Sequence, residues 1–366
     1  MSADGRIGRD RMTTPGIRFD RVGRLGLVTL DRPEALNALT RTMFDAFSQT
    51  LGAWERDERV LHVAVRSSSP KAFCSGGDIR MLYNEGLAAK RGEGPLPLSL
   101  FEAEYRLNHR IRTYPKPYLA LVDGIAMGGG AGISINGRYR VAGPNIRFAM
   151  PEVAIGLVPD IGSSHFLPRL PGEIGTYLAL TGTRIGRADC LYCGLSTHAA
   201  DPARFDAILD ALAGGEAAEA VLARHADTSE GEAEPAPLAA ERDRIDTAFA
   251  HDDLASILSH LEFAGFEGWS LAGEAVQAMS RASPTSLLIT LRQMREGRML
   301  SHADCLRMEY RIVARLLGEH DFYEGVRAQI VDKDRNPAWR PASLAQVDPG
   351  TIDRYFAPLD RELTLS

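Results

Sequence analysis

No apolar run in the chain approaches the ~20 residues that a membrane-spanning helix needs, so no such helix is expected. Cysteine is scarce. Cys74, Cys190, Cys193 and Cys305 are the four in 366 residues, too few and too irregularly spaced for a disulfide scaffold, which fits a reducing compartment. Cys190-Leu191-Tyr192-Cys193 is a lone CxxC with no second pair and no histidine cluster beside it, so it reads as ordinary buried thiols and no metal is expected. An excess of positive charge is also missing: the net charge is −6 and the pI about 5.9, which argues against a nucleic-acid-binding surface. The N-terminus has arginines but no h-region, and its aspartates do not suit a transit peptide; a cytoplasmic location is expected. Several familiar motifs fail. The glycine run at Gly128 does not complete GxGxxG, because Ile133 takes the final glycine position, and no P-loop lysine follows. Ser163-Ser164-His165 lacks a GxSxG frame, so no serine triad is expected, and His165 and His198 read as structural.

What is present describes an ordinary globular protein, 45% apolar and 25% charged, with length for two to three domains. Strands concentrate before about residue 150 and helices after it. Residues 1–14 read as a flexible leader, 15–200 as a core carrying the active site, and 201–366 as a helical C-terminal region. Leu25 to Leu30 reads as a strand, and Thr40 as the N-cap of a helix on which Met43, Phe44, Phe47, Leu51 and Trp54 recur. Val60 to Val65 has the near-continuous apolar pattern of a strand buried on both faces. Arg91 to Leu98 reads as a loop, Phe101 to Ile111 as a helix, and Thr228 to Pro237 as an exposed linker.

The stretch from Tyr114 to His165 organises the rest. It predicts a strand (Tyr118 to Val122), a glycine turn at Gly128-Gly129-Gly130, a short helix, another strand, and then two carboxylates, Glu152 and Asp160, each following a proline. A second glycine turn, Ser75-Gly76-Gly77-Asp78, also leads from strand to helix. Glycines let the backbone approach a ligand closely, and a helix opening there aims free N–H groups at developing negative charge. Two preorganised donors beside carboxylates suit acyl chemistry.

Asp31-Arg32-Pro33…Leu36-Asn37-Ala38-Leu39, Phe73-Cys74-Ser75-Gly76-Gly77-Asp78, Asp123-Gly124…Met127-Gly128-Gly129-Gly130 and Met150-Pro151-Glu152 together resemble the enoyl-CoA hydratase/isomerase (crotonase) superfamily. Glu102 to Asn108, Ala154 to Asp160 and His320 to Asp334 extend the likeness to a hydrolase branch that cleaves 3-hydroxyisobutyryl-CoA, an intermediate of valine breakdown. The resemblance implies an α/β fold, a crotonase-like ββα spiral core with a helical C-terminal region. It implies an acyl-CoA as substrate, with coenzyme A entering only as part of it, and no metal or redox cofactor. Nucleic acid and membrane are not expected as partners, and self-association is open.

The resemblance also assigns roles. Backbone N–H groups of Gly77 and Gly129 form an oxyanion hole. Glu152 is catalytic, as nucleophile or as general base. Asp160 handles the water or the leaving thiolate, and Glu104 meets the 3-hydroxyl of the acyl group. Asp78, Arg80 and Leu36 fall in the CoA-binding region, where Glu34 replaces a commonly basic residue. Two departures separate hydrolase from hydratase. A hydratase carries a second glutamate where this chain has Gly132, and glycine where this chain has Asp160. Simple structural roles compete with each: tight turns for the glycines, an N-terminal cap for Glu152, a turn for Asp160 and a solvated helix face for Glu104.

Overall fold

The computed structural model describes residues 9–226 and 235–365. Ten strands occur among them: β1 (Arg9–Thr14), β2 (Ile17–Val22), β3 (Leu25–Leu30), β4 (His62–Ser67), β5 (Ala72–Cys74), β6 (Tyr118–Val122), β7 (Ile125–Met127), β8 (Tyr139–Ala142), β9 (Arg147–Ala149) and β10 (His198–Ala199). Seven form one sheet in the order β1-β2-β3-β4-β6-β8-β10, and β5-β7-β9 form a second. β1, β2 and β3 are antiparallel, whereas β3-β4-β6-β8-β10 run parallel. The parallel strands β4 and β6 are the near-continuous apolar runs, because a strand covered on both faces has no solvent side to mark.

Residues 9–14 correct the expected leader: they form β1, paired with β2 from Arg9↔Val22 to Thr14↔Ile17. The turn between them contains Pro15 and Gly16, with Gly16 at φ +84°, the conformation that the third residue of a type II turn needs. Residues 1–8 and most of the Thr228–Pro237 linker lie outside the described residues, and Pro237 already starts a helix.

Thr40 caps α1 (Arg41–Arg56) by accepting the Met43 N–H, and Met43, Phe44, Phe47, Leu51 and Trp54 form its buried face. Asp78 caps α2 (Ile79–Lys90) in the same way, accepting from Met81 N at 3.1 Å. α3 spans Leu98–Arg112 and α4 Gly129–Ile135. Later helices include Ile174–Thr181, Phe205–Ala213, Ala218–His225, Pro237–Phe249, Leu254–Phe266, Ser270–Arg281, Pro284–Gly297 and His302–Leu316. This is the α/β architecture with a helical C-terminal region that the sequence predicts. No helix among the described residues is long and apolar enough to cross a membrane.

Contacts divide the chain into two interleaved units, not at a single boundary near residue 200. One unit comprises the described residues of Met1–Gly77, Arg106–Phe148 and Ile185–Ala236; the other comprises Asp78–Tyr105, Ala149–Arg184 and Pro237–Ser366. The first holds the large sheet. Its core packs Leu25, Ala64, Leu119, Leu121 and Val141 against Ile208, Leu212 and Val221 of helices Phe205–Ala213 and Ala218–His225, each leucine, isoleucine and valine contributing about 1.5–3 kcal/mol. The second unit is helical around the segment that carries Glu152 and Asp160.

Candidate active site

The two glycine turns belong to the first unit. Gly76 follows β5 with φ +110°, and Gly128 follows β7 with φ +46°, conformations that L side chains rarely adopt. A Cβ on Gly76 would lie 3.2 Å from Met127 O and 3.4 Å from Gly129 N, so the first turn rests against the second. The approach is closest at Gly130, where a Cβ would come within 2.2 Å of Cys74 O. Leu39 N donates to Gly76 O at 2.8 Å and Leu39 bridges Gly77, which ties the Asn37–Leu39 motif to the same turn. Asn37 Nδ2 donates to Phe73 O and Ser67 Oγ. Gly129 is the first residue of α4, and the leading N–H groups of a helix have no acceptor within it. Gly132 lies buried inside α4.

The carboxylates belong to the second unit. Glu152 opens a 3-10 turn, Glu152–Ile155, which Gly156 ends in the left-handed conformation. Asp160 lies in the loop that follows. The next residue, Ile161, has φ +60°, an outlier for a β-branched side chain that costs of order 1–3 kcal/mol and persists only when its surroundings enforce it. The enforcing groups come from helices Pro284–Gly297 and His302–Leu316. Glu309 accepts from Gly162 N at 2.7 Å, Ser164 N at 2.9 Å and Ser164 Oγ at 2.6 Å. Gln293 Nε2 donates to Pro159 O and to Ser164 Oγ. Both sides of Asp160 are thereby pinned, and Tyr105 OH donates to its Oδ2 at 2.6 Å.

Four of the buried carboxyls in this unit act on one another by charge: Glu104, Glu152, Asp160 and Glu309. Burial pushes Asp160 up to about 6, against the lowering effect of the Tyr105 hydroxyl. Burial lifts Glu309 to about 8, opposed by its Ser164 and Gly162 donors. Glu152 is held well above the usual carboxylate range by burial and then by the Asp160 charge. Glu104 is raised by burial and then by the charges of Asp160, Glu152 and Glu309. Glu152 Oε2 and Glu104 Oε1 have no hydrogen-bond partner among the described residues. An unpartnered buried carboxyl oxygen is costly, and pKa values shifted apart within one cluster mark groups able to take different roles in proton transfer.

The sequence-predicted residues therefore separate. Glu104, Glu152 and Asp160 share one unit and are coupled by charge; Gly77 and Gly129 are parts of the paired turns of the other. The solvated helix face considered for Glu104 does not apply, since it is 3% exposed. The Asp78 carboxylate serves as a helix cap, and Arg80 Nη2 donates to Ile330 O at 2.8 Å. Leu36 is exposed and sits at φ +50°. Sequence reasoning missed Tyr105, Gln293 and Glu309. A signal existed for Glu309: it interrupts the apolar stripe of Cys305, Ile312 and Leu316 on its helix, where a charged residue has no solvent to face.

Glycine turns leading from strand to helix, a parallel sheet and buried paired carboxyls define a crotonase-type scaffold. The chain belongs to the enoyl-CoA hydratase/isomerase family, whose model matches residues 25–356. Among curated relatives, it is 41% identical over 345 residues to 3-hydroxyisobutyryl-CoA hydrolase, mitochondrial, of Xenopus tropicalis, covering 93% of this chain and 88% of that protein. The human protein of the same name is 38% identical over 349 residues, covering 94% and 89%. Among solved structures, a carnitinyl-CoA dehydratase from Mycobacterium thermoresistibile aligns with TM-score 0.88 at 37% identity, covering 96% of this chain and 99% of that one. An enoyl-CoA hydratase from Rhodobacter sphaeroides aligns at 0.87 and 38%, covering 96% and 100%. The cytoplasmic placement expected from composition does not stand, because these hydrolase relatives are named as mitochondrial. None of the four buried cysteines forms a disulfide, and reduced cysteines report redox state without distinguishing one reducing compartment from another.

Proposed function

We propose that this protein hydrolyses a short 3-hydroxyacyl-CoA thioester, with 3-hydroxyisobutyryl-CoA as first substrate, giving 3-hydroxyisobutyrate and free CoA as a step of valine breakdown. The names of its relatives divide between hydrolases and lyases, so its own residues must choose. Asp160 carries the choice: it is buried, raised to about 6 and hydrogen-bonded to Tyr105. Adding water across a double bond needs a second carboxylate that Gly132 does not supply. Asp160 supplies one elsewhere, suited to work at a thioester carbonyl.

In this reading the N–H groups of Gly77 and Gly129 receive the thioester oxygen as it gains charge, each donor being worth about 3–4 kcal/mol in the transition state. Glu152, whose Oε2 has no hydrogen-bond partner among the described residues, attacks the carbonyl carbon; the C–S bond breaks, and CoA departs as the thiolate, which takes its proton from solvent. Water then attacks the acyl carbon, its proton passes to Asp160, and the bond to Glu152 breaks to release the hydroxy acid. Glu104 meets the 3-hydroxyl, and Asp78, Arg80 and Leu36 border the CoA moiety. No cofactor is needed, because the main-chain donors polarise the carbonyl.

The test follows free thiol from 3-hydroxyisobutyryl-CoA alongside loss of enoyl absorbance from crotonyl-CoA. Thiol release with an unchanged crotonyl signal is expected; the opposite pattern would assign a hydratase. Turnover in the presence of borohydride then tests the covalent route: with Glu152 as nucleophile, the mixed anhydride is reduced and mass spectrometry finds the Glu152 carboxyl converted to an alcohol, whereas direct attack by water leaves Glu152 unmodified.

A further inference from the structure

We propose that one face of helix Pro284–Gly297 is a water-holding track that supplies the carboxylate pair. Ser286, Thr290 and Gln293 recur at helical spacing, one above another along a single stripe. All three are fully buried. Ser286 Oγ, Thr290 Oγ1 and Gln293 Oε1 have no hydrogen-bond partner among the described residues, and neither does the buried Ser163 Oγ. Helical hydroxyls can bond to a carbonyl one turn back, but these two do not.

Both ends of the stripe are anchored beside the acids. Ser283 N, just before the helix, donates to Val153 O at 3.1 Å, next to Glu152. At the other end Gln293 Nε2 donates to Pro159 O, next to Asp160, and to Ser164 Oγ at 2.7 Å. Ten residues of helix cover about 15 Å, so the stripe runs from the turn of one carboxylate to the loop of the other.

Buried polar groups are nearly always paired, and each orphan costs about 1–3 kcal/mol. Three orphans along one face need several small partners that both donate and accept. The stripe has no cation to hold an anion, and the single hydroxyl of a short acyl group could satisfy only one position. Water fits, since a buried water makes 2–4 hydrogen bonds. The track rests on the hydrolase reading for its purpose: each turnover consumes one water while the acyl group and the departing CoA obstruct the open side.

Thr290→Val keeps the side-chain shape and removes the hydroxyl; Ser286→Ala does the same at the adjacent turn. A high-resolution crystal structure of the wild type should show ordered water at hydrogen-bond distance from Ser286 Oγ and Thr290 Oγ1, and the double variant should lose it. In kinetics with added hydroxylamine, the double variant should shift the acyl group from hydroxy acid to hydroxamate by about tenfold, the size of one good hydrogen bond lost, with thiol release still observed and the melting temperature near wild type. A dry stripe overturns the proposal, and so does a hydrated stripe whose loss leaves the partition unchanged. Failure of the hydrolase reading would appear differently, as wild-type protein that releases no thiol at all.

Discussion

The glycine turns and the carboxylate loop solve opposite problems. Gly76 and Gly130 bring backbone against backbone, a Cβ having 3.2 Å at Gly76 and 2.2 Å at Gly130. What such a turn offers is a fixed main-chain dipole that carries no net charge and does not titrate. The loop around Asp160 does the reverse, crowding carboxyls into a buried region where the charges acting on them are largely each other's. It holds a strained Ile161 in place with Glu309 and Gln293. One region should therefore be indifferent to pH and intolerant of added volume; the other should tolerate isosteric change but respond strongly to pH.

Glu152→Gln breaks the comparison at its most sensitive point. The amide keeps the shape and removes both nucleophile and base, so thiol release should fall by at least 10²–10⁴-fold with CoA binding retained. Surviving turnover would remove Glu152 from the chemistry.

Gly130→Ala attacks the other region. Its methyl meets Cys74 O, so α4 must move and carry the Gly129 N–H with it. The expected loss in kcat is about 10²–10³-fold, with the pH profile unchanged; a wild-type rate in a folded variant would show that no donor there matters.

Asp160→Asn sharpens the contrast through stability. The folded-state pKa of Asp160 lies near 6, above its ordinary 3.8. A raised carboxyl gives its stabilisation in the protonated form, complete below the unfolded pKa and lost as pH rises through about 6. At pH 8 the wild type thus bears a buried charge costing about 3 kcal/mol that asparagine does not. Thermal melts should find the inactive variant several degrees more stable at pH 8, and the gain gone by about pH 4. A variant no more stable at pH 8 would mean that Asp160 is well solvated.

Much of the fold could be read from the residues because its causes are local. The Thr40 cap, the α1 stripe and the apolar runs of β3, β4 and β6 each announce themselves within a few positions. The β1–β2 hairpin was readable as well: Pro15-Gly16 with alternating Ile17 and Phe19 is a turn signal, outweighed by the charged residues around it. The site was legible only where a motif fell within a short window, as at Gly76-Gly77 and Pro151-Glu152. Tyr105, Gln293 and Glu309 were not, since each acts on a loop 55 to 147 residues away. No window of local sequence contains both partners.

Tyr105 gives the smallest effect and the finest test. Its hydroxyl stabilises the ionised form of Asp160 by donating to Oδ2. Tyr105→Phe removes only that donor, leaving the ring packed against Phe101 and Tyr310. The Asp160 pKa should then rise, by about one unit for a hydrogen bond of ~1.4 kcal/mol. Because the proposed chemistry needs ionised Asp160 to accept the proton of water, the acidic limb of the kcat profile should move to higher pH. Near pH 8 the rate should stay close to wild type, and near pH 6 it should fall several-fold. A uniform loss at every pH would instead mean that the hydroxyl only holds the loop in place, and the tuning of Asp160 would have to come from burial alone.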